Sequence, residues 1–218
     1  MLKVIALIKR RGDLSRAEFR QHYEEIHVPL ALRHLDQFSK YVRNHVTAEV
    51  AGGPAGFDCL TEIWYADQTA LQRVLTYLQS AAAEPIRRDE LAFMAKPENV
   101  FFPVEEHVVL EHGSTPSTAL SKIVVLAARP PDESVDAFRR RYEATLSAWL
   151  DGLPQVLRCV HNTVLPSAAA AAPWDIITML WYAAGSPVAP WHAPGGVGRG
   201  LLVGVCECET PLALLRTP

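Results

Sequence analysis

The sequence contains two related halves, and this repeat constrains the fold more strongly than any other feature. The run KVIAL at residues 3–7 recurs as KIVVL at residues 122–126. Further matches in the same order relate Phe19 and Tyr23 to Phe138 and Tyr142, residues 41–44 to 159–162, and residues 64–65 to 181–182. A copy of about half the chain has the length of a small domain and is too long for a solenoid unit. The repeat therefore predicts a duplicated fold.

Composition and charge exclude several classes of protein. The chain has 218 residues, a formal net charge of −3 and a pI near 6.2, which provide no basic surface for nucleic acid. The apolar run at residues 4–8 is too short for a leader or a membrane span, because Lys9 and two arginines interrupt it. Four cysteines occur without a CxxC pair, so neither a disulfide framework nor a zinc knuckle is indicated. We therefore expect a cytoplasmic protein with no membrane partner.

Each copy follows the pattern strand, helix, strand, strand, helix, strand. In the first copy, Ser15 and Glu18 have the spacing of a capping box, which predicts a helix at residues 16–26. Pro29 is expected either to end this regular helix or to start a new turn. A second helix is predicted from Asp67 to Gln79. The element order is that of a ferredoxin-like βαββαβ fold. Strands are predicted at residues 4–8, 41–46, 60–65 and 100–107.

The second copy is degraded in its later part. Prolines and glycines at residues 185–196 disfavour a second helix there. We predict domains at residues 1–112 and 121–218, with a linker at residues 113–120. Each open sheet would have helices on one side only, so the two sheets are expected to pack face to face and close a barrel with the helices outside.

Several segments of the first copy resemble the EthD family of dimeric α/β-barrel proteins. They are the strand at 3–7, the helix with Phe19 and Tyr23 followed by His27-Val28-Pro29-Leu30, the run at 41–44, and Asp58 with residues 61–65. The resemblance covers residues 2–106 and, more faintly, 121–208. It implies an α+β fold in which two ferredoxin-like repeats, the second degraded, form an intrachain dimeric α/β-barrel. Members are usually homodimers of one repeat, so we expect a pseudo-dimer within one chain and leave a further homodimer open. Relatives include isomerases, cofactor-free monooxygenases, polyketide cyclases, decarboxylases and heme enzymes.

Differences between the copies point to a site in the first half. His27, His45 and Glu62 align with Leu146, Thr163 and Met179, respectively. Three titratable groups thus have apolar or neutral counterparts, which is the pattern left when a duplicated site is lost from one copy. By contrast, Asn44 and Asp58 recur as Asn162 and Asp175, which favours structural roles at turns and strand edges.

Tyr23 and His27 are the predicted catalytic residues. Their spacing of four puts the phenol and the imidazole on one helix face, within hydrogen-bonding reach. Imidazole can take and give a proton at neutral pH, and the phenol could polarise a substrate oxygen. The alternative interpretation is that His27 caps the helix C-terminus, where its ring would donate to a free carbonyl.

Four further residues are predicted to bind substrate: His45, Arg43, Glu62 and Trp64. Glu62 lies within an apolar strand and needs a partner, and Arg43 on the neighbouring strand is the obvious one. The alternative is that Arg43 and Glu62 form a purely structural pair. Histidine spacing defines no metal site, and no phosphate-binding motif is present, so we expect neither a metal nor another cofactor.

The first functional hypothesis is cofactor-free proton transfer, in an isomerase-, cyclase-, decarboxylase- or dehydratase-like reaction. A lyase or an isomerase would be the enzyme class. The substrate would be a small aromatic or polyketide-like carbonyl compound, bound between the sheet and the helices of the first copy. Alternatives are a non-catalytic small-molecule binding or accessory protein, a structural pseudo-dimer, and a heme-dependent oxidoreductase with His27, His45 or His107 as axial ligand.

Overall fold

The computed structural model describes residues 1–112, 120–153, 155–166, 172–183, 185 and 196–215. Most of the predicted linker, the alanine run after Pro166 and most of residues 185–196 lie outside these ranges. The described strands are β1 Leu2–Ile8, β2 Phe38–Ala51, β3 Cys59–Tyr65, β4 Val100–Glu111, β5 Leu120–Ala128, β6 Val156–Val164, β7 Ile176–Ala183 and β8 Arg199–Glu209. The α-helices are α1 Arg16–His22, α2 Val28–His34, α3 Gln68–Gln79, α4 Glu84–Phe93, α5 Val135–Asp151 and α6 Leu212–Leu215.

The contacts divide the chain into two compact units. Unit 1 comprises Met1–His45, Gly56–Pro103 and the segment from Glu207, and unit 2 comprises Val46–Ala55 and Val104–Cys206. No described helix has the length and hydropathy needed to span a membrane.

In unit 1, β3 pairs with both β1 and β2 in antiparallel register. Thr61 is opposite Ala6 on one side and Arg43 on the other, whereas Glu62 is opposite Ile5 and Val42. Because neighbouring residues of a strand point to opposite faces, these two rows lie on different faces of the sheet. The Thr61 face belongs to the main core of unit 1. Buried members of that core include Ala6, Phe19, Tyr23, Tyr41, Cys59, Val74, Ile86 and Phe93.

The predicted capping box of the first helix is confirmed, but its predicted end is wrong. Ser15 accepts from the backbone N–H of Glu18, and the Glu18 carboxylate accepts from the N–H of Ser15. The helical run then continues through a π-helical segment, Tyr23–His27, into α2. Pro29 follows this π-helical segment directly, at the start of α2. α3 agrees with its prediction, including the Asp67 cap.

In unit 2, antiparallel pairing gives the strand order β8, β5, β7, β6, β4. β4 pairs with β6 from Val104 opposite Val164 to Glu111 opposite Arg158. Helix α5, the only α-helix among the described residues of this unit, begins after the Ser134 cap and is uninterrupted. Its apolar face buries Phe138, Tyr142 and Leu146.

The predicted fold class is wrong. The eight strands follow one closed barrel order, β1-β3-β2-β8-β5-β7-β6-β4. The structure is therefore a closed eight-stranded barrel with a few helices, rather than two ferredoxin-like repeats forming an intrachain dimeric α/β-barrel. β4 illustrates the physical reason, because its pairing with β6 gives partners to backbone groups that an open sheet edge would leave unpaired. Periodicity predicted the strands, but it carries no information on which strand an edge will pair with.

Candidate functional site

The helical run that carries Tyr23 and His27 contains a π-helical turn. The N–H of Val28 donates to the carbonyl of Tyr23, five residues earlier, so one extra residue is accommodated in this turn. Such turns occur mostly as single insertions and often at functional sites. His27 lies in the middle of the helical run from Arg16 to His34, so the interpretation of His27 as a C-terminal cap is wrong.

His27 is paired with an aspartate that the sequence analysis did not identify. Its Nδ1 lies 2.8 Å from Oδ2 of Asp89 on α4, and both side chains are about nine-tenths buried. His22 approaches the same carboxylate, with Nε2 2.8 Å from Oδ1. The helix carrying Asp89 was not predicted, and Asp89 has no sequence relation to His27 that could have revealed the pair.

The electrostatics of Asp89 fix the roles of the ring nitrogens. Burial raises the pKa of Asp89, but the hydrogen bonds from His27 and His22 outweigh it and leave the pKa below its ordinary value. An ionised carboxylate only accepts hydrogen bonds, so Nδ1 of His27 is the donor. Neutral His27 therefore keeps the lone pair on Nε2, and no described residue hydrogen-bonds to that atom. His27 has the arrangement of an oriented general base.

The hydroxyl of Tyr23 is bonded to the sheet rather than to His27. It lies 2.9 Å from Oγ1 of Thr61 and accepts a longer bond from Tyr41, at 3.4 Å. The rings of Tyr23 and His27 meet edge to face, with centroids 5.2 Å apart. The two rings are therefore neighbours, as the spacing of four predicts, but the Tyr23 hydroxyl is bonded to Thr61 and Tyr41. Burial raises the pKa of Tyr23 well above its ordinary value, so this phenol stays protonated.

A cavity of about 360 Å³ lies in unit 1 between the sheet and the helices. Its polar lining on one part of the wall comes from Tyr23, His27, Tyr41 and Thr61. The rest is mainly apolar and includes Val4, Ala6, Ile8, Ala31, Leu35, Phe38, Ile63, Leu71, Val74, Leu78, Ile86, Met94 and Phe101, with Glu90, Lys96 and Asn99. Mostly apolar walls with a few placed polar groups are the usual form of a small-molecule site.

Arg43 and His45 belong to a second polar cluster built around Glu24. Arg43 donates from Nε and Nη2 to the two carboxylate oxygens, at 3.1 and 2.6 Å. Nε2 of His45 lies 2.6 Å from Oε1 of Glu24. Burial raises the pKa of Glu24, but these bonds outweigh it, so its pKa is lowered. Glu24 and Arg43 line a separate groove of about 870 Å³ and not the His27 cavity.

Glu62 and Trp64 lie on the opposite face of β3 from the cavity. Lys3 Nζ is 2.7 Å from Oε2 of Glu62 and 4.4 Å from the centre of a Trp64 ring. Asn44 also donates to Glu62, at 2.8 Å. The predicted Arg43–Glu62 pair is wrong, because strand register places these two residues on different faces. Neither Glu62 nor Trp64 lines the cavity.

Residues common to both copies have structural roles, as predicted. The Asp58 carboxylate accepts from the N–H of Arg10, and Asp175 accepts from the N–H of Arg129. Asn44 and Asn162 each donate to a carbonyl of the neighbouring strand. The Tyr23–Thr61 bond recurs in unit 2 as Tyr142–Thr178, at 3.0 Å. The Tyr23 hydrogen bond is thus part of the framework, whereas the His27–Asp89 pair is specific to the first copy.

In the second copy, the position of His27 is occupied by a core residue. Leu146 packs with Phe138 and Tyr142 in the α5 core of unit 2. His161 lies opposite Thr178 in the β6–β7 pair, and burial, with nearby His107 and Arg139, lowers its pKa to about 4. A histidine with this pKa is neutral near pH 7.

Comparisons with known proteins agree with the resemblance seen in the sequence. Residues 11–97 match the model of the EthD domain, which confirms the EthD resemblance for this segment. A search of curated protein sequences gives no significant match. An anthrone oxidase-like protein aligns with a TM-score of 0.58 at 9% identity, over 95% of this chain and 92% of that one. A "putative monooxygenase" from Lactobacillus acidophilus NCFM aligns with a TM-score of 0.53 at 10% identity, over 97% and 96%. At such identities these structures show a shared fold alone.

Proposed function

We propose that this protein, whose residues 11–97 match the EthD domain model, binds a small carbonyl compound in the His27 cavity and transfers a proton on it without a cofactor. The observation that carries the proposal is that His27, whose Nδ1 is bonded to Asp89, lines a mainly apolar cavity. The reaction would be of the isomerase, cyclase, decarboxylase or dehydratase kind. A further homodimer of the chain remains a prediction.

His27 would act as the base and then as the acid. Nε2 takes a proton from the carbon next to the substrate carbonyl, and the Asp89 carboxylate stabilises the imidazolium that forms. The imidazolium exchanges this proton with solvent and then gives a proton back to a carbon or oxygen of the substrate. Proton transfer by a positioned imidazole contributes about 10²- to 10⁴-fold to a rate.

The phenols of Tyr23 and Tyr41 would hold the substrate oxygen. Burial raises the pKa of Tyr41 to about 12 and that of Tyr23 well above its ordinary value, so both phenols keep their protons. A protonated phenol in a buried site can donate to an oxygen on which negative charge develops. Tyr23 would give up its bond to Thr61 to make this contact.

The size and lining of the cavity favour a small and largely apolar substrate. Its volume, about 360 Å³, is near the lower end of the range of roughly 300–1,000 Å³ for ligand sites. Phe38, Tyr65 and Phe101 are among its lining residues, and aromatic walls suit an aromatic or polyketide-like ring.

Exchange of substrate protons with D₂O tests the proposal. Small aromatic ketones and diketones are first screened for binding by chemical-shift changes, and binders are then followed by proton NMR in D₂O. We expect the wild type to exchange the proton next to the carbonyl, and His27→Gln to lose this exchange. His34→Gln is the matched control, because His34 contacts Tyr77 and does not line the cavity. If a compound binds at His27 but its proton exchanges equally fast with wild type and His27→Gln, the proposal is contradicted. The protein would then be a small-molecule binding protein without this activity.

A heme-dependent oxidoreductase is the second candidate, and one observation favours it. Iron-ligating histidines commonly donate their other ring nitrogen to a carboxylate, as His27 does to Asp89. The small volume of the cavity favours a compact substrate over a tetrapyrrole. Titration with hemin separates the two candidates, since a Soret shift that His27→Gln abolishes would support heme.

A further inference from the structure

Three metal-ligating side chains of different types meet in unit 1, away from the His27 cavity. They are Glu24 of the π-helical segment, His45 of β2 and Cys208 of β8. One ligand atom of each lies within 4.8 Å of the others. None of the three lines the cavity, and their separation in sequence explains why no spacing motif revealed them.

From this cluster we propose that Glu24, His45 and Cys208 bind a zinc ion. A thiolate, an imidazole and a carboxylate are the ligands that Zn²⁺ takes in proteins, whereas Mg²⁺ and Ca²⁺ prefer oxygen alone. Three protein ligands leave a fourth position of the tetrahedron for water or another small ligand. Glu24 also lines the groove of about 870 Å³, which gives the cluster a route to solvent.

The contacts around the cluster hold two of its ligands in place. Arg43 binds Oε2 of Glu24 at 2.6 Å, while Oε1 faces Nε2 of His45 at 2.6 Å. An ion between Oε1 and Nε2 would therefore replace the hydrogen bond to His45 and share Oε1 with Nε of Arg43, which lies 3.1 Å away, while the bond from Nη2 of Arg43 to Oε2 stays. Nη2 of Arg20 lies 3.7 Å from Sγ of Cys208, close enough to stabilise a thiolate.

The ring of His45 is not fully satisfied by its contacts with the described residues. Its side chain is 4% exposed, and its Nδ1 is a buried atom without a hydrogen-bond partner in the described part of the chain. A buried polar atom without a partner costs free energy, so such an atom in a native structure calls for an explanation.

The guanidinium groups of Arg20 and Arg43 repel the positive charge of a bound zinc ion. Binding therefore depends on the negative charge of the Cys208 thiolate. Zinc binding converts the Cys208 thiol to a thiolate: the S–H bond breaks, an S–Zn bond forms, and the proton passes to the buffer. Binding should therefore strengthen as pH rises, with about one proton released per ion when the thiol is protonated beforehand.

Metal titration of the full chain tests the proposal, with Zn²⁺ and Co²⁺ alone as probes. We expect one Zn²⁺ per chain by equilibrium dialysis and, with Co²⁺, the near-ultraviolet charge-transfer band of a thiolate ligand. Cys208→Ser should weaken zinc affinity by more than about 100-fold, because mutation of a residue that only supports a metal ligand costs about 10- to 100-fold. It should also abolish the charge-transfer band. Cys206→Ser is the matched control, because Cys206 is on the same strand and outside the cluster.

Folding is checked separately, because His45 is buried whereas Cys208 is partly exposed. Circular dichroism and thermal unfolding of Cys208→Ser must match the wild type before its affinity is compared. Absence of stoichiometric binding in the wild type, or equal affinity in wild type and Cys208→Ser, would overturn the proposal. Since no ligand of the cluster lines the His27 cavity, neither result bears on the proposed proton transfer.

Discussion

Nδ1 of His27 lies 2.8 Å from Oδ2 of Asp89, a residue 62 positions later on a helix of its own. This pair orients the imidazole, fixes the proton on Nδ1 and leaves Nε2 for chemistry. The predictions below follow from this arrangement and from the cluster around Glu24.

Replacing His27 should remove activity with a modest loss of stability. His27→Gln keeps a donor for Asp89 but lacks a ring nitrogen that can take and return a proton, so turnover should fall by about 10²- to 10⁴-fold. Proton exchange and thermal unfolding, measured on the same preparations, check this. A variant that retains full turnover would refute the catalytic role of His27.

Asp89→Asn should lower activity, because the imidazole of His27 loses the carboxylate that orients it. It should also make the free energy of unfolding depend less on pH in the acid range. The pKa of Asp89 is lowered in the folded protein, so its ionised form stabilises the fold above the unfolded pKa, about 3.9. That contribution is lost as pH falls below about 4 through the folded value. Urea midpoints between pH 6 and pH 2 should fall more steeply for wild type than for Asp89→Asn. Parallel curves would contradict this assignment.

Removing His22 should raise the pKa of Asp89 while leaving the His27 bond in place. His22 supplies one of the two hydrogen bonds that lower this pKa. Carbon-13 NMR of the Asp89 carboxyl, titrated in wild type and His22→Ala, measures the shift directly. An unchanged or lower pKa in His22→Ala would show that the His22 contact does not stabilise the ionised carboxylate.

Truncating Glu24 should destabilise the protein, because it leaves Arg43 buried without this carboxylate. Leaving a buried polar group unpaired costs about 1–3 kcal/mol, and more for a charged group. We therefore expect Glu24→Ala to lower the free energy of unfolding by at least about 1 kcal/mol. Glu25→Ala is the matched control, since neighbouring Glu25 is exposed and bonds only to Gln21 among the described residues. Equal effects of the two substitutions would contradict the structural importance of the Glu24–Arg43 pair.

The sequence by itself determined the local elements and the framework repeated in both halves. Capping chemistry placed the start of α1 and of α3, and strand periodicity assigned Thr61 and Glu62 to opposite faces. The aligned copies distinguished Asp58 and Asn44, which recur, from His27, which does not. Each of these inferences depends on residues close in the chain or on a comparison of one copy with the other.

Only the tertiary structure decided which distant groups meet. Arg43 on β2 pairs with Glu24 of the π-helical segment, and Glu62 on β3 pairs with Lys3 on β1. Asp89, on a helix that was not predicted, contacts His27. Edge pairing of β4 with β6 overturned the predicted fold class. The physical reason is that periodicity fixes the face on which a side chain lies within its own element, whereas the partner across that face depends on how separate elements pack.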